Sequence, residues 1–143
     1  MKFLLDTNAC IALINGSSEM VRKRYTRAVL ARNELLVSSV TLFELWYGVF
    51  GSSRLRFNAD RLEAFLEGSV SVLPFDEDDA RAAGSVHAEL RSIGKIIGSY
   101  DILLAGQALN RSLTLVTANV SEFSRVKRLF WEDWTRPRSA PEL

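Results

Sequence analysis

The hydrophobic positions along the chain fall into short continuous runs, separated by longer segments with a helical repeat. Such runs occur at 2–5, 35–40, 70–73 and 113–116, with a weaker fifth run at 129–131. Continuous apolar runs are typical of strands that are buried on both faces, as in parallel sheets covered by helices. We therefore expect four or five buried strands.

The segments between these runs repeat their apolar side chains every three or four residues, which predicts amphipathic helices. The predicted helices span residues 8–14, 18–32, 41–50, 55–66, 76–93 and 99–109. In the fifth helix, the apolar stripe comprises Ala80, Ala83, His87 and Leu90. This pattern places His87 in the core, and Gly94 is expected to end the helix. Alternating strands and helices predict a three-layer α/β/α fold around a mostly parallel sheet.

Composition is that of one folded domain. The chain has 143 residues, of which 48% are hydrophobic and 24% are charged, enough to form a core. We assign residues 1–136 to a single domain and residues 137–143 to a short flexible tail. The net charge is only +1, so any nucleic-acid-binding surface must be a local one.

Few residues are available for thiol or imidazole chemistry. One cysteine, Cys10, and one histidine, His87, exclude an internal disulfide and a conventional structural zinc site. No apolar run approaches the ~18 residues of a membrane span, and the first residues lack the features of a signal peptide. We therefore expect a cytoplasmic protein without a membrane segment.

Oxygen-bearing side chains follow the predicted strands at the points where the strands end. Asp6 closes the first strand, Glu44 lies in the helix after the second, and Asp101 lies near the start of the last clear helix. Asn119 and Glu122 follow the fourth strand. Because parallel strands end at one edge of a sheet, we expect these groups to converge there. Mg²⁺ and Mn²⁺ prefer oxygen ligands and can activate water against a phosphate, so this pattern favours a metal-dependent nuclease.

Each acid also has a purely structural interpretation. Thr41 and Glu44 match a capping box, and Asp6 suits a turn with an N-cap. Ser99 with Asp101 could equally cap the last helix and favour its dipole. An acid in an apolar setting is costly unless it is paired or metal-bound, and Asp6 and Asp101 both adjoin apolar runs. Their joint placement favours the metal site, where unneutralised carboxylates should raise one another's pKa.

Four segments, in order, resemble the motifs of PIN-domain nucleases, and most closely those of VapC-like toxins from bacterial toxin–antitoxin pairs. The segments are Leu4-Leu5-Asp6-Thr7-Asn8, residues 39–48, residues 97–105, and residues 115–123, followed by a similar ending at 131–134. The resemblance implies a Mg²⁺- or Mn²⁺-dependent endoribonuclease that cuts structured RNA, such as tRNA or rRNA loops, by metal-activated water. It also implies a homodimer that a VapB-like antitoxin neutralises.

By position, the resemblance gives Asp6, Glu44 and Asp101 the catalytic and metal-binding roles. The fourth catalytic position is Asn119, where many PIN domains have Asp. Asn119 offers a neutral oxygen, and Glu122 is an additional candidate ligand, so the number of metal ions stays open.

Two groups of side chains are candidates for contact with partners. The RNA-binding candidates are Arg22, Lys23, Arg24 and Arg27 in the second helix, with Arg91 and Lys95 ahead of the third motif. A solvated helix face is the alternative interpretation. The antitoxin or dimer candidates are Leu42, Leu45, Trp46, Val49 and Phe50, an apolar face that could equally belong to the core.

Three other classes of protein share part of this pattern. A signalling receiver domain has a similar layout, but it needs an acidic pair after the first strand, where this chain has only Asp6. A PIN-like RNA-binding module without catalysis stays open because of Asn119, and so does a DNA-directed nuclease of related fold. Cleavage assays on RNA and DNA, with and without metal, separate these alternatives.

Overall fold

The computed structural model describes residues 1–137 and contains one five-stranded parallel sheet. The strands are β1 Lys2–Leu5, β2 Glu34–Ser38, β3 Val70–Leu73, β4 Thr114–Val116 and β5 Trp131–Glu132, in the order β3-β2-β1-β4-β5. In the centre, Leu4 is in register with Leu36 on one side and with Leu115 on the other. The predicted parallel sheet is therefore confirmed, with five strands. Of the predicted tail, residues 138–143 lie outside the described residues.

Seven helices connect these strands within residues 1–137. They are α1 Thr7–Asn15, α2 Glu19–Leu30, α3 Ser39–Phe50, α4 Leu55–Leu66, α5 Glu77–Ser92, α6 Ser99–Arg111 and α7 Val120–Phe123. All six predicted helices are present, and α4 has the predicted ends. The sequence pattern did not predict α7, because four residues are too few to show a helical repeat.

Successive side chains of β1 point to opposite faces of the sheet, and each face is covered by helices. Phe3 and Leu5 belong to one buried cluster, which includes side chains from α1 to α4. Leu4 belongs to a second cluster on the other face, formed with α5, α6 and α7. Because both faces of the strand are covered, its apolar run is continuous rather than alternating. The three-layer α/β/α prediction is confirmed.

Helices α5 and α6 approach each other closely, and this contact fixes the position of α6. A Cβ atom on Gly106 would lie 2.4 Å from the Cα of Ala83. Nearby, the buried Asp79 carboxylate accepts hydrogen bonds from Gln107 Nε2 (3.1 Å), Asn110 Nδ2 (2.8 Å) and Arg111 Nε (3.1 Å). Burial alone would raise the pKa of Asp79, but the hydrogen bond from Arg111, with further local hydrogen bonds, lowers it.

The structure corrects the predicted environment of His87. The buried side of α5 includes Ala83, Val86 and Leu90, and His87 is exposed. The true stripe follows steps of three and four residues from Ala83, so His87 lies one position beyond it. Gly94 does follow the helix, with a positive φ of 67°. No helix in residues 1–137 is long and apolar enough to cross a membrane.

Candidate active site

Asp6 lies where the central strand β1 ends and α1 begins. Its Oδ1 accepts a hydrogen bond from the backbone N–H of Ala9 at 2.8 Å, so it is the N-cap that one interpretation predicted. The side chain is nevertheless buried. Burial raises the pKa of Asp6, hydrogen bonds from Thr117 and Ala9 oppose that rise, and the charges of Glu44 and Asp133 add to it. The cap is therefore also part of an acidic cluster.

Glu44 does not have the capping role that its spacing from Thr41 suggested. The side chain of Ser38 caps α3, so Thr41 lies inside the helix. Its buried Oγ1 has no hydrogen-bond partner within residues 1–137. Glu44 Oε1 instead accepts a hydrogen bond from Thr7 Oγ1 at 2.8 Å, which holds α3 against the start of α1 beside Asp6. The capping-box prediction for Thr41 and Glu44 is wrong, and the structure places Glu44 at the sheet edge.

Asp101 lies in the first turn of α6, opposite the end of β4. The N-cap of α6 is Gly98, without a side-chain cap, so the predicted cap by Ser99 is wrong. Asn119 Nδ2 donates to Glu122 Oε2 at 2.8 Å and more weakly to Asp101 Oδ2 at 3.4 Å. The amide of Asn119 thus links the two carboxylates.

These two carboxylates have opposite pKa shifts. Burial raises the pKa of Asp101 to about 7, with contributions from its hydrogen bond to Glu122 and from the charges of Glu122, Asp6 and Glu44. The pKa of Glu122 is lowered by hydrogen bonds from Asn119 and Asp101. Asp101 and Glu122 therefore share a proton near neutral pH, with Asp101 as its main holder. The expected rise of a carboxylate pKa in this cluster is confirmed.

The cluster does not form a closed metal cage. Within residues 1–137, no group of three His, Cys, Asp or Glu side chains is placed so that together they could hold a metal ion. The acids are held instead by local donors, such as Thr7 on Glu44 and the Ala9 backbone on Asp6. The chemistry of the donor set still fits a hard cation, because Mg²⁺ usually keeps several waters and binds one or two carboxylates.

Sequence reasoning missed Thr117, which lies between Asp6 and Asn119. Its buried hydroxyl interacts with the Asp6 carboxylate and accepts the backbone N–H of Asn119 at 3.0 Å. Thr117 directly follows β4. That position, one residue beyond a strand in a parallel sheet, is the signal that could have identified it.

Arg24, predicted as an RNA contact, is an internal anchor. It donates to Glu132 Oε1 at 2.9 Å and to the carbonyl oxygens of Asp133 (2.9 Å) and Arg136 (3.0 Å). Its side chain is only 12% exposed, and its guanidinium lies 5.9 Å from the ring centroid of Trp134. Because these groups of the same chain engage its donors, its position does not fit the predicted contact with RNA.

The other basic candidates are exposed. Arg22, Lys23 and Arg27 lie on α2, where Lys23 pairs with Glu19 at 3.5 Å. Arg91 lies in the last turn of α5, and Lys95 lies in the loop that leads to α6. Arg91 and Lys95 therefore lie on the chain segment that leads to Asp101.

The apolar face of α3 is divided between core and surface. Leu45 and Val49 are buried, Leu42 and Trp46 are half-buried, and Phe50 is exposed. Phe43 and Tyr47, which were not predicted, are 56% and 76% exposed. A cavity of about 220 Å³ lies between α1, α3 and α4; its lining includes Ile11, Ile14, Glu44, Leu45, Gly48 and Val49. Through Glu44, this groove adjoins the acidic cluster.

Comparison with known proteins assigns this architecture. The PIN domain model matches residues 3–129. The tRNA(fMet)-specific endonuclease VapC of Shigella flexneri is 39% identical over 135 residues, which cover 94% of this chain and 99% of the relative. Ribonuclease VapC2 of Rickettsia felis is 34% identical over 137 residues, 95% of this chain and 100% of the relative.

Solved structures agree with this result. VapBC2 from Rickettsia felis, bound to a DNA fragment from its promoter, superposes with a TM-score of 0.88 at 33% identity, covering 94% of this chain and 99% of the other. DNA-bound VapBC from Salmonella typhimurium gives a TM-score of 0.86 at 37% identity, covering 94% and 98%. With a matching domain model, full-length relatives and a common fold, the chain belongs to the PIN domain family.

Proposed function

We propose that this chain is a Mg²⁺- or Mn²⁺-dependent endoribonuclease and the toxin of a toxin–antitoxin pair. Relatives that span nearly its whole length are named as ribonucleases or as a tRNA-specific endonuclease. The proposed substrate class is structured RNA, with tRNA as the first candidate. The observation that carries the proposal is the acidic cluster at the sheet edge, where burial first, and then the neighbouring carboxylates Glu122, Asp6 and Glu44, raise the pKa of Asp101.

The metal would be held directly by one or two of Asp6, Glu44 and Asp101, and through metal-bound water by the remaining groups, with Asn119 and Glu122 as additional candidates. When bound, Mg²⁺ or Mn²⁺ supplies positive charge that stabilises a phosphate and makes water more acidic. Such a cation would also relieve the mutual repulsion of these carboxylates. Asp6 is fixed by the Ala9 backbone and Glu44 by Thr7, so two of the ligands start from defined positions.

The chain supplies its own proton acceptor. A carboxylate of the cluster that is not bound directly to the metal would take the proton from water, and Glu122, which accepts a hydrogen bond from the amide of Asn119, is the candidate for this role. The one histidine, His87, is exposed on α5, so it does not take part. Hydrolysis by water leaves a 5′-phosphate and a 3′-hydroxyl, whereas attack by the ribose 2′-hydroxyl would leave a 2′,3′-cyclic phosphate.

The direct test is cleavage of bacterial tRNA and of a DNA of matched length, with Mg²⁺, with Mn²⁺ and with EDTA, followed by analysis of the product ends. We expect RNA cleavage that requires metal and gives 5′-phosphate ends. Asp101→Asn should lower the rate by orders of magnitude. Asp78→Asn is the matched control, since Asp78 is exposed in the first turn of α5.

Each other result favours a different alternative. Cyclic phosphate ends or undiminished cleavage in EDTA would refute the water mechanism. RNA binding without cleavage would favour the non-catalytic module, and preference for DNA would favour the DNA-directed nuclease.

The groove beside Glu44 is the proposed antitoxin site. The solved relatives above are toxin–antitoxin complexes. An apolar antitoxin segment would lie along α3, over Leu45 and Val49, and a basic side chain would point towards Asp6 and Asp101. Such a cation could pair with the carboxylates in place of metal.

Gly48 allows this groove to be tested without loss of the fold. A Cβ atom there would meet no other atom within 4 Å. Gly48→Leu should fill the groove and weaken antitoxin binding measured by calorimetry, while the melting temperature is retained. Gly84→Leu, at an equally open position in α5, is the control. Unchanged affinity in a folded Gly48→Leu protein would contradict the assignment.

A further inference from the structure

Three exposed cations lie on the two chain segments that come before α6 and after α7, and we call them the basic rim. They are Arg91 in the last turn of α5, Lys95 in the loop before α6, and Arg125 just after α7. Nothing in the sequence pattern singled out Arg125. The rim joins two chain segments that meet beside Asp101.

Arg125 is fixed in place by the protein backbone. Its Nη1 donates to the carbonyl oxygen of Ile96 at 3.1 Å, which connects the segment after α7 to the loop before α6. A guanidinium has five N–H donors, and this contact uses one of them. Because the side chain is exposed, the cation is held at the surface in a defined position.

Arg125 is also electrostatically close to the site. Its positive charge helps to lower the pKa of Glu122, after the hydrogen bonds from Asn119 and Asp101. Glu122 accepts the backbone N–H of Gly98 as well. The loop before α6 is thus held from two sides, by Arg125 and by Glu122, next to the residues that would act on a phosphodiester.

The charges of the basic rim are not neutralised by ion pairs. In the part of the chain that the structure describes, none of the three cations forms a salt bridge. Helix α2, the other basic segment, differs in this respect, because Lys23 pairs with Glu19 and Arg24 pairs with Glu132. The three cations of the rim are therefore available to an anionic ligand, and Arg125 is the one whose charge also reaches the acidic cluster, through Glu122.

We propose that the basic rim, with Arg125 as its fixed centre, binds the RNA phosphate backbone immediately beside the bond that is cut. A polyanion cannot approach four carboxylates without cations near them, and guanidinium and ammonium groups are the usual phosphate contacts. Ile93 and Ile96 are exposed along the same segment and offer apolar contact to the sugars. The inference rests on the proposed function and adds the direction from which RNA reaches the site.

The test uses the full chain with Asp101→Asn, so that RNA is bound but not cut. Binding of unfractionated bacterial tRNA is measured over a series of KCl concentrations at one low Mg²⁺ concentration. Affinity falls as salt rises, and loss of one phosphate contact should make the slope of log affinity against log salt shallower by about one. We expect the slope to fall in magnitude by about one for Arg125→Gln, which removes the charge, and by about two when Lys95→Gln is added.

Two further variants separate charge from structure. Arg128→Gln is the matched control, because Arg128 lies in the same segment but lines a cavity with Leu109 and Asn110, at the far end of α6. The dependence of tRNA affinity on salt should be the same for Arg128→Gln as for the parent. Arg125→Lys keeps the charge and should recover most of the slope. If the role of Arg125 were only structural, Arg125→Gln would lower the melting temperature and leave the slope unchanged.

The outcomes distinguish the inference from the proposed function. An unchanged slope for Arg125→Gln, in a protein that still cuts RNA when Asp101 is restored, would overturn the inference alone. A larger effect from Arg22→Gln on α2 would place the RNA on the opposite side and also overturn it. A chain that binds tRNA through the rim but never cuts it would support the inference and refute the nuclease.

Discussion

At the scale of single residues, the most informative group is the Asp101 carboxyl. Its pKa is raised to about 7 from an ordinary value of 3.8, so the folded protein holds a proton that the unfolded chain releases. Stability should therefore fall as the pH rises from about 4 to about 7, because in this range the unfolded chain is deprotonated while the folded state still holds the proton, and the fall should end above about pH 7. Metal binding in the same range should oppose the fall.

Asp101→Asn should remove this dependence, since its amide can donate to Glu122 as the protonated acid does. In EDTA at pH 8, we expect the variant to be about 0.5–2 kcal/mol more stable than the parent, the usual scale for relieving a functional-site compromise. Thermal melts from pH 4 to 8, with EDTA and with Mn²⁺, measure this. If the melting temperature of the parent protein changed neither with pH nor on addition of Mn²⁺, the proposed metal site would be contradicted.

Arg24 provides a second prediction at this scale. Arg24→Met keeps the apolar stem but removes the donors to Glu132, Asp133 and Arg136. We expect a loss of about 1–3 kcal/mol in the free energy of unfolding, because partly buried acceptors lose a charged donor. Urea unfolding measures the loss, and Arg22→Met on the exposed face should stay within about 0.5 kcal/mol of the parent. Equal stability of the two variants would show that Arg24 is not an anchor.

Individual residues also show where sequence reasoning ends. Asp6 and Glu44 could be selected because they follow strands in a parallel sheet, and such ends meet. Asp101 could be selected because it lies at the start of a helix that is otherwise apolar. The environment of each cation could not be predicted in this way. Arg24 and Arg22 have the same charge on the same helix, and only the position of the segment from Glu132 to Arg136 separates them. That segment is more than a hundred residues away along the chain.

At the scale of elements, the close contact between α5 and α6 predicts that alanine substitutions at two glycines change the stability of the fold in opposite directions. Gly106→Ala should destabilise by about 1–3 kcal/mol, because the new Cβ would overlap Ala83 and the helices must separate. Gly84→Ala, in α5 with open space around it, should stabilise by about 0.5–1 kcal/mol through helix propensity. Chemical denaturation of both variants is the measurement. Stabilisation by Gly106→Ala would contradict the close contact.

The accuracy of the element predictions follows from what each pattern contains. β1, β3 and α4 have the predicted ends, because their apolar pattern stops where the element stops. The second predicted strand, 35–40, was too long because it was extended to the apolar Val40, whereas Ser39 and Val40 belong to α3. The apolar repeat correctly predicted that α5 is a helix, but it placed His87 on the buried face, one residue away from the true buried position at Val86. Helix α7 has only four residues, which is too short to show a repeat.

At the scale of the whole molecule, the exposed aromatic residues of α3 predict self-association. Phe43, Tyr47 and Phe50 follow one another at helical spacing on the surface, and exposed apolar patches of this kind mark interfaces. Phe43→Ser with Tyr47→Ser should convert a dimer into a monomer in analytical ultracentrifugation. Phe130→Ser, at another exposed position, is the control and should leave the mass unchanged. A parent that is monomeric at high concentration would refute this prediction.

The strand order has a consequence for how the chain is made. Of the five described strands, β1 is synthesised first and is the middle strand of the sheet, whereas β4, its second neighbour, is synthesised only after β2 and β3. Chains emerge from their N-termini first, and contacts between distant segments form slowly. Asp6 is thus translated early but meets Asp101 and Asn119 only after most of the chain has appeared. A chain that is cut short before Asp101 would therefore lack a complete acidic cluster, and we expect it to have no nuclease activity.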